Sequence, residues 1–117
     1  MIEVLDKELN ITVLVLENNP NTYYLSYQKD AKCIISIVQN ESDIIIIPNP
    51  MEHCTAEELT KIINCFSNYI FKIYPNVNGI LLKTDDNQML ESIGFKLISD
   101  DSEYLYKENN KRIKKVR

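Results

Sequence analysis

The residues that could do chemistry gather at two places in this 117-residue chain. The first is Glu52-His53-Cys54-Thr55-Ala56-Glu57-Glu58, with the sole histidine beside one of three cysteines. A nucleophilic Cys–His pair needs the two side chains within hydrogen-bond reach and a third group to orient the base. Sequence neighbours point in different directions and no orienting partner can be placed, so His53 reads as a solvated loop histidine. Cys33 and Cys65 fall in strand and helix patterns and read as small apolar fillers. Glu52, Glu57 and Glu58 could attract an amine, but acids in a first helical turn are also favoured by the helix dipole. The second place is Asp85-Asp86-Asn87. It could be a polar cluster at a strand's carboxyl end, where open α/β sheets hold ligands, although a helix cap is the simpler account.

Elements must position these groups, and their pattern is legible. Thr55-Ala56-Glu57-Glu58 is a capping box, after which Leu59, Ile62, Ile63, Phe66, Ile70 and Ile73 recur at helical spacing. A helix from about 56 to 74 is expected. Tyr23–Tyr27 and Cys33–Val38 are β-branched and aromatic runs, expected as a hairpin across a polar link, Gln28–Lys32. Asp43-Ile44-Ile45-Ile46-Ile47 reads as a central strand buried on both faces, ended by Pro48-Asn49-Pro50 because proline cannot donate to a ladder. Val77–Lys83 is a further strand. A helix between two strands implies a crossover and parallel pairing. Asp85–Ile93 is expected as a short helix stopped by Gly94, before a hairpin of Phe95–Ile98 and Glu103–Tyr106. Ile11–Leu16 and Ile2–Leu5 are the weaker strand signals near the amino end.

The bulk numbers permit one domain. A hydrophobic fraction of 44% and a charged fraction of 26% suit a globular core. Three unpaired-looking cysteines suggest a reducing, cytoplasmic setting. The longest apolar run, Ile44–Pro48, is far below the roughly 20 residues that span a bilayer, so no membrane partner is expected. Residues 109–117 hold five of the 13 basic residues and no acid; the other eight face 17 acids, leaving a body of −9. Nucleic acid is therefore an expected partner only through that basic tail, which otherwise reads as a solvated terminus. The domain is taken as 1–108.

From about residue 22 to 108 the order of elements resembles the GNAT acetyltransferase superfamily. The resemblance is most specific at Asn87…Leu90-Glu91-Ser92-Ile93-Gly94-Phe95, followed by a strand ending Tyr104-Leu105-Tyr106-Lys107. It implies an α/β (α+β) fold with a mixed, mostly antiparallel sheet, one long helix and one short. It also implies acetyl-CoA as acyl donor and an amine as acceptor. By that resemblance Ile45, Ile46 and Ile47 would receive the pantetheine arm. The amides of Cys54, Thr55, Ala56 and Glu57 would hold the pyrophosphate, as helix N-termini hold anions, and Asn87 would lie near the thioester. Departures are equally specific. Cys54 stands where the family has glycine, Met51 replaces its Gln or Arg, and Leu90 replaces a tyrosine that protonates the departing thiolate. The alternative is a GNAT-shaped module that binds a protein partner without chemistry, and a third possibility is an unrelated α/β protein sharing the strand order. The GNAT reading requires two neighbouring parallel strands, carrying Ile46 and Leu81, to part ahead of the long helix.

Overall fold

A computed structural model describes residues 1–83, 88–98 and 103–110. The elements run β1 (Ile2–Asp6), β2 (Ile11–Leu16), β3 (Asn19–Tyr27), β4 (Asp30–Asn40), β5 (Asp43–Pro50), α1 (Ala56–Ile73), β6 (Gly79–Lys83), α2 (Gln88–Glu91), β7 (Lys96–Leu97) and β8 (Tyr104–Glu108). The described strands form one sheet in the order β1-β2-β3-β4-β5-β6-β8-β7. Every pairing is antiparallel except β5 with β6. The expected architecture is the one observed: a mixed, mostly antiparallel sheet with one long and one short helix.

Strands β1 to β5 follow one another as a meander because each link is short. The β3–β4 link is tighter than the five-residue turn expected. Gln28 and Lys29 take positive φ (51° and 72°), and β4 starts at Asp30. Two consecutive left-handed residues match the right-handed twist of the flanking strands, at a steric cost to side chains with a Cβ.

α1 starts where the sequence says. Thr55 Oγ1 accepts the Glu58 N–H at 3.1 Å, and a Glu58 carboxylate oxygen accepts the Thr55 N–H at 3.0 Å. Its inner stripe of Ile62, Ile63, Phe66 and Ile70 lies on alternate residues of the central strands, among them Leu25, Ile35, Ile44, Ile46, Ile80 and Leu82. Tyr23 meets Phe66 edge-on with ring centroids 5.1 Å apart. The Gly-Phe pair closes the far end. Gly94 adopts φ +99°, and Phe95 drops into the core and donates its N–H to Leu90 O at 3.2 Å.

Two expectations about β5 are corrected. The strand is not buried on both faces: Ile44 and Ile46 are fully buried beneath α1, Ile45 is half-buried on the other face, and Ile47 is 48% exposed. A single long helix covers one face only. Nor do the prolines end it, since β5 runs through Pro48 and Pro50 and pairs with β4 along its whole length. The basic segment also starts inside the fold. Asn109 is buried and its side-chain amide donates to Pro75 O (3.2 Å) and Val77 O (3.0 Å), clasping β8 to the α1–β6 connection. Residues 111–117 lie outside the described residues.

Candidate functional site: the open end of the β5–β6 pair

β5 and β6 are adjacent and parallel, and their register runs from Asp43–Gly79 to Ile46–Leu82. There it stops, although β6 continues to Lys83 and β5 to Pro50. Four residues of β5 thus extend past the pairing on the side where the chain turns into α1.

The backbone chemistry of that edge follows from one hydrogen bond. Met51 N–H donates to Lys32 O on β4 at 2.8 Å. Because strand residues alternate in direction, Asn49 and Ile47 also face β4, and Pro48 and Pro50 face the opened side. Proline has no N–H, so this edge presents carbonyl acceptors alone. Prolines tolerated in a strand sit on such an unpaired edge, which is why they extend β5 instead of ending it.

Beyond Pro50 the chain makes a compact turn. Cys54 N–H donates to Met51 O at 3.0 Å, and the His53 ring nitrogen Nε2 lies 3.1 Å from Ala31 O. His53 is thereby held against β4 on an exposed turn. The capping box then fixes the first turn of α1. Lys32, whose side chain is only 9% exposed, reaches this turn and pairs with Glu58 at 3.3 Å. The Glu58 carboxyl is held below its ordinary range, chiefly by the Thr55 N–H and then by Lys32. A carboxylate thus already sits at the positive end of the helix.

The expected site residues separate into three sets. Cys54, Thr55, Ala56 and Glu57 do form the turn at the start of α1, but their donors are unequal. The Cys54 N–H serves Met51, the Thr55 N–H serves Glu58, and the unspent first-turn donors belong to Ala56 and Glu57. Ile45 and Ile46 lie on β5 at the last rungs of the pairing, and Ile47 is the first residue past it. Ile46 turns its side chain into the core, so only its backbone could meet a ligand. Asn87 lies outside the described residues, as do Asp85 and Asp86.

Two features were missed. Lys32 occupies a bulge: Leu25 pairs with Cys33 and Ser26 with Ala31, leaving Lys32 unpaired with β3. Nothing in the sequence marks a bulge there. The acceptor-only edge has a visible signal, two prolines spaced by two, although the same pair also fits a strand terminator.

Burial disfavours the thiolate form of all three cysteines. Burial raises Cys33 to about 12. Cys54 is raised by burial and the Glu58 carboxylate, against a smaller opposing effect of Lys32. Among the described residues no group of three or more His, Cys, Asp or Glu could hold a metal. No described helix is long and apolar enough to cross a membrane.

No family model matches the chain, and no curated protein matches it in sequence. Its structure is similar to the N-terminal domain of the ribosomal-protein-alanine acetyltransferase from Clostridium acetobutylicum ATCC 824. The TM-score is 0.62 over 83% of this chain and 79% of that one, at 14% identity. Together with the sheet order, the parallel β5–β6 pair and the Gly94-Phe95 closure, this likeness shows that the chain has a GNAT-like fold.

Proposed function

We propose that this is an acetyltransferase-like domain that takes the pantetheine arm of acetyl-CoA at the open end of the β5–β6 pair. The observation that carries the reading is the register, which ends at Ile46–Leu82 while β5 runs on to Pro50. Pantetheine holds two amide N–H donors along an extended chain. The acceptor-only edge of Pro48 and Pro50 suits those donors. The diphosphate end would rest on the unspent amides of Ala56 and Glu57.

Acetyl-CoA would transfer its acetyl group to an amine: a C–N bond forms, the C–S bond breaks, the amine nitrogen releases a proton to solvent, and the thiolate takes one up. The proton would come from solvent, because Leu90 occupies the family's acid position and its side chain is buried in the core. Positioning alone can still lower the barrier substantially.

Thermal shift with acetyl-CoA and with CoA tests the reading. At 100 times its dissociation constant a ligand adds about 2.7 kcal/mol of stability, which raises Tm by roughly 10 °C in a domain of this size. The shift is expected to vanish in Ala56→Glu, which brings a fourth carboxylate to the turn, and to survive in His53→Ala. No shift at millimolar ligand defeats the proposal.

A second reading is favoured by the Glu58–Lys32 pair. A turn that already holds its own carboxylate, beside an acid position filled by leucine, suits a GNAT-shaped module that binds a protein partner without acyl transfer. A bound CoA that produces no acetylated amine in any acceptor panel would favour that second reading.

A further inference from the structure

We infer that the free edge of β1 is a docking site for an extended segment of another protein, one that carries a lysine or arginine between two apolar residues. The site is separate from the open end of the β5–β6 pair and does not depend on acyl-donor binding. β1 ends the described sheet and pairs only with β2. Met1 and Val15 exchange both backbone hydrogen bonds, each at 3.0 Å. In an antiparallel ladder such pairs alternate with pairs that exchange none. Ile2 and Val4, opposite Leu14 and Thr12, therefore turn their N–H and C=O groups away from β2. Each offers a donor and an acceptor at the spacing that a further strand matches. A register shift between Val4 and Asp6 limits the regular edge to these two residues. Edges are commonly blunted by lysine or proline. Here both side chains are aliphatic, with Ile2 70% exposed and Val4 54%.

The groove beside the edge selects the occupant. Glu3 pairs with the buried Val13, so its side chain stands on the α1 face of the sheet. There the flank of α1 at Cys65, Asn68 and Lys72 faces Glu3 and Leu5 across a groove of about 350 Å³. A strand added to β1 would lay alternate side chains in that groove, under the helix, while its backbone pairs with Ile2 and Val4. The Glu3 carboxylate is half-buried and, among the described residues, joins no ion pair. Lys72 lines the same groove without pairing with it. The incoming residue opposite Glu3 would stand about 5 Å away between Cβ atoms, within reach of a lysine or arginine head group. Its two neighbours would pack beside Ile2 and Val4 on the outer face. A second copy fits worse. Antiparallel self-pairing through both edge residues sets Ile2 against Val4 of the copy and centres on Glu3. Two carboxylates then stand directly opposite, which is destabilising.

The test is titration of the ¹⁵N-labelled full chain with the peptide acetyl-Thr-Val-Lys-Val-Thr-amide. Saturable amide shifts are expected at Ile2, Val4 and Asn68. Replacing the peptide's lysine with glutamate should weaken binding about fivefold, and Glu3→Lys should reverse that preference. Val4→Pro removes an edge donor without touching the ladder to β2, as prolines on edge strands do. It should abolish saturation while the far-UV circular dichroism spectrum stays unchanged. Glu3→Lys, at a half-exposed position, decides the matter even if the proline variant does not fold. No saturable shift at Ile2 or Val4 with millimolar peptide overturns the inference, and so does equal affinity for the lysine and glutamate peptides. A wild type whose Ile2 and Val4 amides shift with its own concentration, in the absence of peptide, overturns it in favour of self-pairing.

Discussion

Glu58 has two roles that oppose each other. Its carboxylate completes the capping box and neutralises the buried Lys32, yet it sits where the proposed diphosphate must come. Glu58→Gln keeps the reach back to Thr55, since glutamine serves in a capping box, and removes the charge. Acetyl-CoA is expected to bind roughly fivefold tighter, the effect of about 1 kcal/mol of Coulomb repulsion relieved in a wet site. Isothermal titration measures it, and equal or weaker binding would mean that Glu58 does not compete. Stability responds the other way, because Lys32 loses its partner. The sign with pH is fixed: the Glu58 carboxyl is lowered in the fold, so its contribution is present above the ordinary carboxylate range and fades as pH falls through the lowered value. The stability gap between wild type and Glu58→Gln should therefore be full at pH 7 and shrink toward pH 3. The thiols give an independent check at this scale. With Cys33, Cys54 and Cys65 all raised by burial first, none should react with a thiol reagent at pH 8 as fast as free cysteine, and Cys33 should wait for unfolding. A fast-reacting Cys54 would reopen a nucleophilic role for it.

At the scale of elements, legibility tracked how local the determining forces are. The capping box and the 3.6-residue stripe of α1 depend on neighbours in sequence, and both ends of that helix were readable within a residue. The β3–β4 turn was not, because Gln28-Lys29 lacks the Asn-Gly signature of a two-residue hairpin and the strands impose the left-handed backbone. That strain is measurable. Lys29→Gly should stabilise the domain by about 1 kcal/mol, read as a higher denaturation midpoint with an unchanged slope. A loss of stability would show that the Lys29 side chain contributes more than its backbone costs. The prolines of β5 mislead for a related reason. Proline ends a strand only if its nitrogen faces a partner, and which way it faces is a tertiary fact. The burial of Lys32 rests on a bulge and was likewise hidden. Of the candidate site, the turn at 54–57 could be read from the sequence because a helix start is local; the donors already spent in that turn could not.

The described residues form one sheet with both helices on a single face. The order of elements along the chain and the parallel crossover are legible because alternating and helical periodicities punctuate the sequence. The half-exposed outer face was not, since Ile45 and Ile47 have the same residue type as the buried Ile44 and Ile46. Type alone does not say how many layers a sheet will have. The ligand site proposed here depends on the whole arrangement: β5 must outlast its pairing with β6, turn past Cys54, and deliver the start of α1 to the opened edge. Titration of ¹⁵N-labelled protein with acetyl-CoA tests that claim most directly. The account predicts saturable amide shifts at Ile47, Ala56 and Glu57, with Phe71–Ile73 at the far end of α1 unmoved. Shifts confined to the groove between β1 and α1 near Cys65 and Asn68, or none at millimolar ligand, would contradict it.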